Sequence, residues 1–244
     1  MRKLSAILLS FFATAVLGQT PADDVARHTI NNLAGAQWDS ARYIAFTFDV
    51  ERDGKTVASY PQRWDRYTGD YRVSGKDREG HDVLVIMNVN TKAGKAWKDG
   101  AEVADPKDLL TFGYRRFIND TYWLLMPLKA MDPGVHRELA PARTDSCGHA
   151  QDVVHLSFDP GVGLTPADNY WMVVNHDTGL VDEWDMKLTG SKPEDEPLVV
   201  LFHDYRRIGG LLLSVRREMK GKGQAILLDD VTVSHDVPAG AFAK

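Results

Sequence analysis

Histidine and cysteine side chains are the first candidates for chemistry in this sequence, because both are common metal ligands. The residues that suggest a metal site are His149, His155, His176 and His203, and none of them has H-x3-H or H-E-x-x-H spacing. Cys147 precedes His149 by two positions in a polar loop, without a matching second pair. The sequence therefore predicts no metal site and no cofactor.

A hydrolytic site would need an activated nucleophile or a pair of carboxylates. No G-x-S-x-G elbow occurs in the sequence. Asp182, Glu183 and Asp185 flank Trp184, a pattern seen around sugar-binding carboxylates. The same alternation is also typical of an exposed sheet face. We therefore predict no catalytic residue, and an envelope hydrolase that acts on lipids or glycans stays open as the alternative.

Aromatic pairs carry the functional prediction. Tyr122-Trp123 lies in the densest apolar run outside the N-terminus, and Tyr170-Trp171 repeats the arrangement later in the chain. On a strand, neighbouring residues face opposite ways, so one ring of each pair would enter the core. In a curved sheet, one face of both pairs, together with Trp64, would line a hollow suited to an apolar ligand.

Basic residues are candidates for contacts to the polar end of such a ligand. The sequence offers Arg63 beside Trp64 and Arg206 in a C-terminal strand, with Arg115 and Arg116 as further candidates. The predicted ligand-binding residues are Trp64, Tyr122, Trp123, Tyr170, Trp171, Arg63 and Arg206.

The N-terminus has the pattern of a secretory signal. A basic start is followed by an apolar run over residues 4–17 and a stretch that allows cleavage before Gln19. We expect a signal peptide over residues 1–18 and a single domain over residues 19–244, exported to the periplasm or the extracellular space. No later segment has the length that a bilayer-spanning helix needs.

Charge and cysteine content exclude two classes of protein. The formal net charge is −5 and no dense cluster of Lys and Arg offsets it, so we expect no nucleic-acid partner. Cys147 is the only cysteine, which excludes a disulfide-stapled secreted scaffold. With 43% hydrophobic and 26% charged residues, the composition is that of an ordinary globular domain.

Two helices are predicted. Thr20-Pro21 caps and starts the first helix, and Gly35 is a suitable end. The second helix begins after Asp105-Pro106, and Asn119-Asp120 is expected to end it. Residues 121–126 are β-branched, aromatic and aliphatic, and they are predicted to form a buried central strand.

Most of the remaining sequence has the period of two that is typical of strands. Residues 44–50 alternate cleanly, Asp53-Gly54 predicts a hairpin, and Asp132-Pro133-Gly134 predicts a type II turn. About eleven to thirteen strands follow one another as a meander, without βαβ alternation. The predicted fold is mainly β with two helices. A strongly curved antiparallel sheet forms an unclosed half-barrel, and the helices cover its concave side.

Four segments resemble an uncharacterised family of exported bacterial proteins whose fold is placed with the lipoprotein carriers (LolA/LolB-like). They are FINDTYWLLMP at 117–127, LTPADNYW at 164–171, DTGLVDEW at 177–184 and DYRRIGGLLL at 204–213. The resemblance implies an open half-barrel whose concave face, covered by helices, holds acyl chains. It assigns no functional residue to this chain.

These observations predict a non-catalytic binding protein. It would hold a lipid, an acyl chain or another hydrophobic ligand in a concave apolar trough, and its partner would be a hydrophobic small molecule or an acylated protein. Besides the hydrolase, a second alternative is a protein–protein interaction module of the cell envelope, whose sheet edge or face docks another protein.

Overall fold

The computed structural model describes residues 20–244. The predicted signal peptide lies outside the described residues. The helices are α1 (Pro21–Leu33), α2 (Gln37–Ser40), α3 (Lys107–Leu125) and a 3-10 helix (Met126–Lys129). Strands before α3 are β1 (Tyr43–Arg52), β2 (Lys55–Asp65), β3 (Asp70–Lys76), β4 (Asp82–Asn88), β5 (Gly94–Lys98) and β6 (Ala101–Glu102). Strands after it are β7 (Val135–Thr144), β8 (Ala150–Phe158), β9 (Asn169–Asn175), β10 (Val181–Lys187), β11 (Leu198–Ile208), β12 (Leu211–Met219) and β13 (Gln224–Ser234).

All 13 strands form one antiparallel sheet with the order β6-β5-β4-β3-β2-β1-β13-β12-β11-β10-β9-β8-β7. Every neighbour is sequential except β1 and β13, which pair in the middle of the sheet. The last strand before α3 and the first strand after the 3-10 helix are therefore the two opposite edges. The sheet does not close into a barrel, which confirms the predicted open, mainly β architecture.

The helices cover one face of this sheet. Because β6 and β7 are opposite edges, the segment that joins them must cross the sheet, and α3 packs against β3, β4, β5 and β12. Helix α1 contacts β7, β8, β12 and the 3-10 helix. Buried apolar side chains from the sheet and from these helices form the core beneath them. Among residues 20–244, no helix combines the length and apolarity needed to cross a membrane.

Local signals in the sequence place several boundaries correctly. The Thr20 hydroxyl accepts the amide of Asp23 at 3.2 Å, and the Asp23 carboxylate accepts the Thr20 amide at 3.2 Å, which completes a capping box. Asp53 and Gly54 have φ values of 49° and 74°, as a type I′ hairpin turn requires. The Val135 amide donates to the Asp132 carbonyl at 3.2 Å, which closes the second predicted turn.

The predicted central strand over residues 121–126 is wrong, because α3 continues through Leu125. Asp120 does not end the helix. Its carboxylate is buried, with a side-chain exposure of 0%, and it accepts a hydrogen bond from Arg116 Nε, one turn earlier, at 2.8 Å. The Gln62 amide of β2 donates to the same carboxylate. Asp120, which the sequence analysis predicts at the end of the helix, instead joins the helix to the sheet by hydrogen bonds.

Candidate functional site

One face of α3 and of the 3-10 helix lines a cavity instead of packing on the sheet. The residues on this face follow helical spacing: Arg115, Asn119, Tyr122, Leu125 and Lys129. On a helix, consecutive residues lie only about 100° apart, so Tyr122 and its neighbour both reach the cavity. The other face of α3 carries Asp120 and Leu124, which are buried.

The cavity lies between this helical face and the concave side of the sheet, with a volume of about 630 Å³. That volume is within the range of about 300–1,000 Å³ in which proteins bind small molecules. The sheet contributes Trp64, Val135, Phe158, Tyr170, Trp184, Met186 and Leu198 to its wall. Further contacts come from Trp38 of α2 and from the loops that carry Pro133, Val162, Leu164, Thr165 and Leu188.

Aromatic rings make the β8–β10 wall rigid. Tyr122 of α3 lies over this wall, with its ring centroid 5.6 Å from that of Trp184 and 5.9 Å from that of Tyr170. Tyr170 meets Trp184 edge to face at 5.1 Å and Phe158 at 5.4 Å. Such offset and edge-to-face pairs contribute about 0.5–1.5 kcal/mol each beyond the area they bury. These rings therefore pack against one another as well as lining the cavity.

A buried carboxylate, that of Asp168, accepts hydrogen bonds from polar groups at one edge of this wall. Asp168 is 3% exposed and accepts hydrogen bonds from the Tyr170 hydroxyl at 2.8 Å and from the Thr189 amide and hydroxyl at 2.6 and 2.7 Å. Burial alone would raise the pKa of Asp168, but these hydrogen bonds and one from Thr165 together lower it. The network orients Tyr170 and ties the 188–190 segment to the cavity wall.

Two basic side chains reach the cavity from the helical side. Lys129 forms an ion pair with Asp132, which also lines the cavity. Arg115 is exposed, and it has no hydrogen bond or ion pair to any other residue between 20 and 244. Its guanidinium is therefore available to an anionic group at the cavity.

Two exposed apolar side chains line the cavity. Five large hydrophobic residues are exposed in the described part of the chain, and two of them, Leu164 and Leu188, line the cavity with exposures of 42% and 44%. Exposed apolar surface that is contiguous with a cavity is typical of a ligand-binding or docking region.

Beneath α3, Asp120 forms the centre of a buried polar network. The Tyr71 hydroxyl donates to Gln62 Oε1 at 2.5 Å, and the Gln62 amide donates to Asp120. Burial raises the pKa of Asp120 to about 6, although the positive charge of Arg116 opposes the shift. Asn119 and Thr121, on either side of Asp120, line the cavity. The hydrogen bonds of Asp120 therefore hold this part of α3 against the sheet next to the cavity.

The structure brings four of the predicted ligand-binding residues together and places three elsewhere. Trp64, Tyr122, Trp123 and Tyr170 all line the cavity. The other three do not line it: Trp171, Arg63 and Arg206. Trp171 stacks on the imidazole of His155, with centroids 5.0 Å apart. Arg63 donates to the Ala241 carbonyl at 3.0 Å, and Arg206 is exposed on β11.

Sequence reasoning missed several residues of the wall. The sequence predicts that the second helix ends at Asn119-Asp120, but α3 continues to Leu125, and Phe117 and Ile118 line the cavity. An unbroken helical spacing from Leu109 through Leu125 was the signal that would have revealed it. Phe158 and Leu164 come from a strand end and a long loop, and only the tertiary structure brings them to the site.

The acidic residues around Trp184 lie outside the cavity. Arg143 pairs with Glu183 at 2.9 Å and with Asp185 at 2.7 Å, and Asp182 accepts a hydrogen bond from Gln151. Burial, together with the negative charge of Asp185, raises the pKa of Glu183. Trp184 itself is 1% exposed and points to the concave side. Glu183 and Asp185 therefore share an ion pair with Arg143, and none of the three carboxylates lines the cavity.

No protein-family model matches this chain, and no curated protein matches it. Similar solved structures include a putative outer membrane lipoprotein-sorting protein domain from Vibrio parahaemolyticus, with a TM-score of 0.48 and 8% identity over 90% of this chain and 95% of that chain. MucB has a TM-score of 0.30 and 13% identity, over 91% of this chain and 62% of that chain. The MucA/MucB complex of Pseudomonas aeruginosa has a TM-score of 0.26 and 12% identity, over 91% and 96%. The description of the first structure names lipoprotein sorting, the class of protein that the four sequence segments resemble.

Proposed function

We propose that this protein is an exported, non-catalytic binding protein that holds a lipid, an acyl chain or another hydrophobic ligand in the cavity between α3 and the sheet. The observation that carries the proposal is the cavity of about 630 Å³, walled by aromatic and aliphatic side chains and edged by exposed Leu164 and Leu188. An acylated protein is included among the possible ligands, since its chain would present the same apolar surface.

The energetics of apolar burial favour this kind of ligand. Each methylene group that leaves water for an apolar site contributes roughly 0.8 kcal/mol, so a chain of several methylenes gives useful affinity without a specific polar contact. The wall is already ordered by its own ring contacts, so little conformational entropy is lost on binding. A preformed apolar wall is therefore suited to holding a chain rather than to recognising one particular polar group.

The polar groups at the cavity support binding more than catalysis. Lys129 and Asp132 neutralise each other in an ion pair, and Asp168 accepts hydrogen bonds from Tyr170 and from the amide and hydroxyl of Thr189. A general acid or base needs access to the reacting group and a free proton position. These groups are engaged in structural contacts, while Arg115 remains available to bind an anionic head group.

The proposal is tested by titrating the purified protein with a dansyl-labelled fatty acid. We expect saturable binding with a stoichiometry near one. Ile118→Asp places a carboxylate in the cavity wall, which an incoming chain would have to desolvate, so the affinity should fall about tenfold or more. Thr111→Asp is the matched control, because Thr111 is exposed on the same helix and does not line the cavity.

Circular dichroism and thermal melting would confirm that both variants fold. Absence of saturable binding by the unmodified protein would overturn the proposal. Equal affinity of the Ile118→Asp and Thr111→Asp variants would show that the probe binds somewhere other than this cavity, and the proposal would fail as well.

A further inference from the structure

A compact turn between β7 and β8 gathers three potential metal ligands at one end of the sheet. The Asp145 amide donates to the His149 carbonyl at 3.0 Å, and the Gly148 amide donates to the Asp145 carbonyl at 3.1 Å. Asp145 Oδ1 also accepts the amides of Cys147 and His149, both at 2.8 Å. These bonds define the backbone of the turn without using the thiol or the imidazole Nε2 as a partner.

The donor atoms of these side chains lie close together. One carboxylate oxygen of Asp145, the Cys147 sulfur and one imidazole nitrogen of His149 are all within 4.8 Å of one another. The sequence showed only Cys147 and His149, two positions apart and without a second pair. The turn adds Asp145 as the third donor, four residues before His149.

The chemical types of the three donors indicate which cation would suit them. Thiolate, imidazole and carboxylate are the ligands of Zn²⁺ in proteins, at about 2.0–2.3 Å. A thiolate disfavours the hard cations Mg²⁺ and Ca²⁺, which prefer oxygen ligands. Three protein ligands leave a fourth position for water, which is consistent with an exposed and exchangeable ion.

The surroundings of the turn favour a cation. The Asp145 carboxylate lies 2.8 Å from His149 Nδ1, and Asp177 and Asp182 add further negative charge around His149. These charges attract a divalent ion to this end of the sheet. A Cβ added at Gly148 would meet no atom within 4 Å, so the backbone beside the donors is open to solvent.

We propose that Asp145, Cys147 and His149 form a surface site for a borderline-soft divalent ion of the Zn²⁺ class. On binding, the thiol releases its proton to solvent, and so does His149 when its ring is in the imidazolium form; the neutral ring keeps its other N–H. The metal forms bonds to the sulfur, to one ring nitrogen and to a carboxylate oxygen. No oxidation or reduction is involved. The site is independent of the apolar cavity, none of whose lining residues belongs to this turn.

The chain supplies matched controls for this site. Three other histidines contact a carboxylate in the same way but have no thiol beside them: His81 with Asp99 at 2.8 Å, His136 with Asp159 at 2.6 Å, and His176 with Asp152 at 2.8 Å. His176 is exposed and belongs to the turn after β9, so His176→Gln removes a comparable imidazole at an unproposed position.

The experiment is a Co²⁺ titration of the reduced, metal-free protein, followed by competition with Zn²⁺. Co²⁺ bound to a thiolate gives a sulfur-to-metal charge-transfer absorption, which oxygen and nitrogen ligands alone do not produce. We expect one equivalent of Co²⁺ to produce this band and Zn²⁺ to abolish it. Cys147→Ser should remove the band, His149→Gln should weaken binding at least tenfold, and His176→Gln should change neither.

Absence of the charge-transfer band from the unmodified, reduced protein at millimolar Co²⁺ would overturn the proposal. So would a band that persists at the same affinity in His149→Gln, because the thiol would then bind metal without the imidazole. All three positions are exposed or half-exposed in a surface turn, so the variants should fold as the unmodified chain does, which thermal melting would check.

Discussion

The indole rings of Trp123 and Trp184 meet edge to face, with their centroids 5.0 Å apart. Trp123 is half-buried near the end of α3, whereas Trp184 is buried in the centre of β10. The contact joins the helix that crosses the sheet to the concave face beneath it, and both rings line the cavity. An aromatic contact therefore joins the helical wall of the cavity to its sheet wall.

Intrinsic fluorescence should report binding in the cavity. Four tryptophans line it, Trp38, Trp64, Trp123 and Trp184, whereas Trp171 does not. Titration with an unlabelled fatty acid should change the emission of the unmodified protein. Trp123→Phe should reduce the amplitude of the change, and Trp171→Phe should leave it intact. The opposite ranking of the two variants would place the ligand on the outer face of the sheet.

Arg115 should favour anionic over neutral ligands. An exposed ion pair contributes about 0.2–1 kcal/mol, so Arg115→Gln should weaken binding of a fatty-acid anion up to about fivefold. The methyl ester of the same acid should bind equally to both proteins. Arg78→Gln, an exposed arginine away from the cavity, is the charge-matched control. Equal losses for acid and ester would contradict a head-group role for Arg115.

Asp120 should make stability depend on pH. Its pKa is raised to about 6 by burial, so the folded state binds this proton more tightly than the unfolded state does. The resulting contribution to stability is complete below pH about 4 and is lost as pH rises through about 6. At 1.36 kcal/mol per pKa unit, it amounts to roughly 1–3 kcal/mol.

Asp120→Asn isolates this effect, because the other titrating groups cancel in a comparison of the two proteins. The free energy of unfolding of the unmodified protein, minus that of the variant, should fall between pH 4 and pH 7 and then level off. Urea denaturation at several pH values measures it. A difference that stays flat, or rises with pH, would rule out a buried carboxylate with a raised pKa.

Gly113 should be required where α3 approaches β4. A Cβ added to Gly113 would lie 2.7 Å from Val85 Cγ1, and Val85 is fully buried. Gly113→Ala should therefore cost about 1–3 kcal/mol through overpacking, against a gain of about 1 kcal/mol in helix propensity. Chemical denaturation should show a net loss of stability.

The double variant separates the steric cause from other effects. In a Val85→Ala background the clash is removed, so adding Gly113→Ala should be neutral or stabilising by up to about 1 kcal/mol. Additive losses from the two substitutions would mean that the helix and the strand are not in the close contact that the structure shows.

Much of the sheet was predictable from the sequence because its signals are local. The alternation over residues 44–50 and the Asp53-Gly54 turn define β1, β2 and their hairpin, and both features depend only on neighbouring residues. The capping box at Thr20 and the turn at Asp132 are local in the same sense. A long meander of such hairpins must curve, which accounts for the open half-barrel.

The site was predicted only in part, because its wall depends on contacts between distant segments. Residues 121–126 suit a strand or a helix by composition. In the structure they continue the helix, and Asp120 just before them accepts hydrogen bonds from Arg116 and from Gln62 of β2. The contact with β2 lies between segments distant in sequence, so the sequence alone does not reveal that Tyr122 and Trp123 both line the cavity.

The sequence by itself determined the strands, their hairpin order and the supply of aromatic rings, since these depend on residue type and short-range spacing. Only the tertiary structure decided which rings meet: Trp184 joins the cavity, whereas Trp171 faces away and stacks on His155. The physical reason is that alternation along a strand separates two faces but does not say which face is covered. In this protein α3, which is distant in sequence from β10, covers the face that carries Trp184.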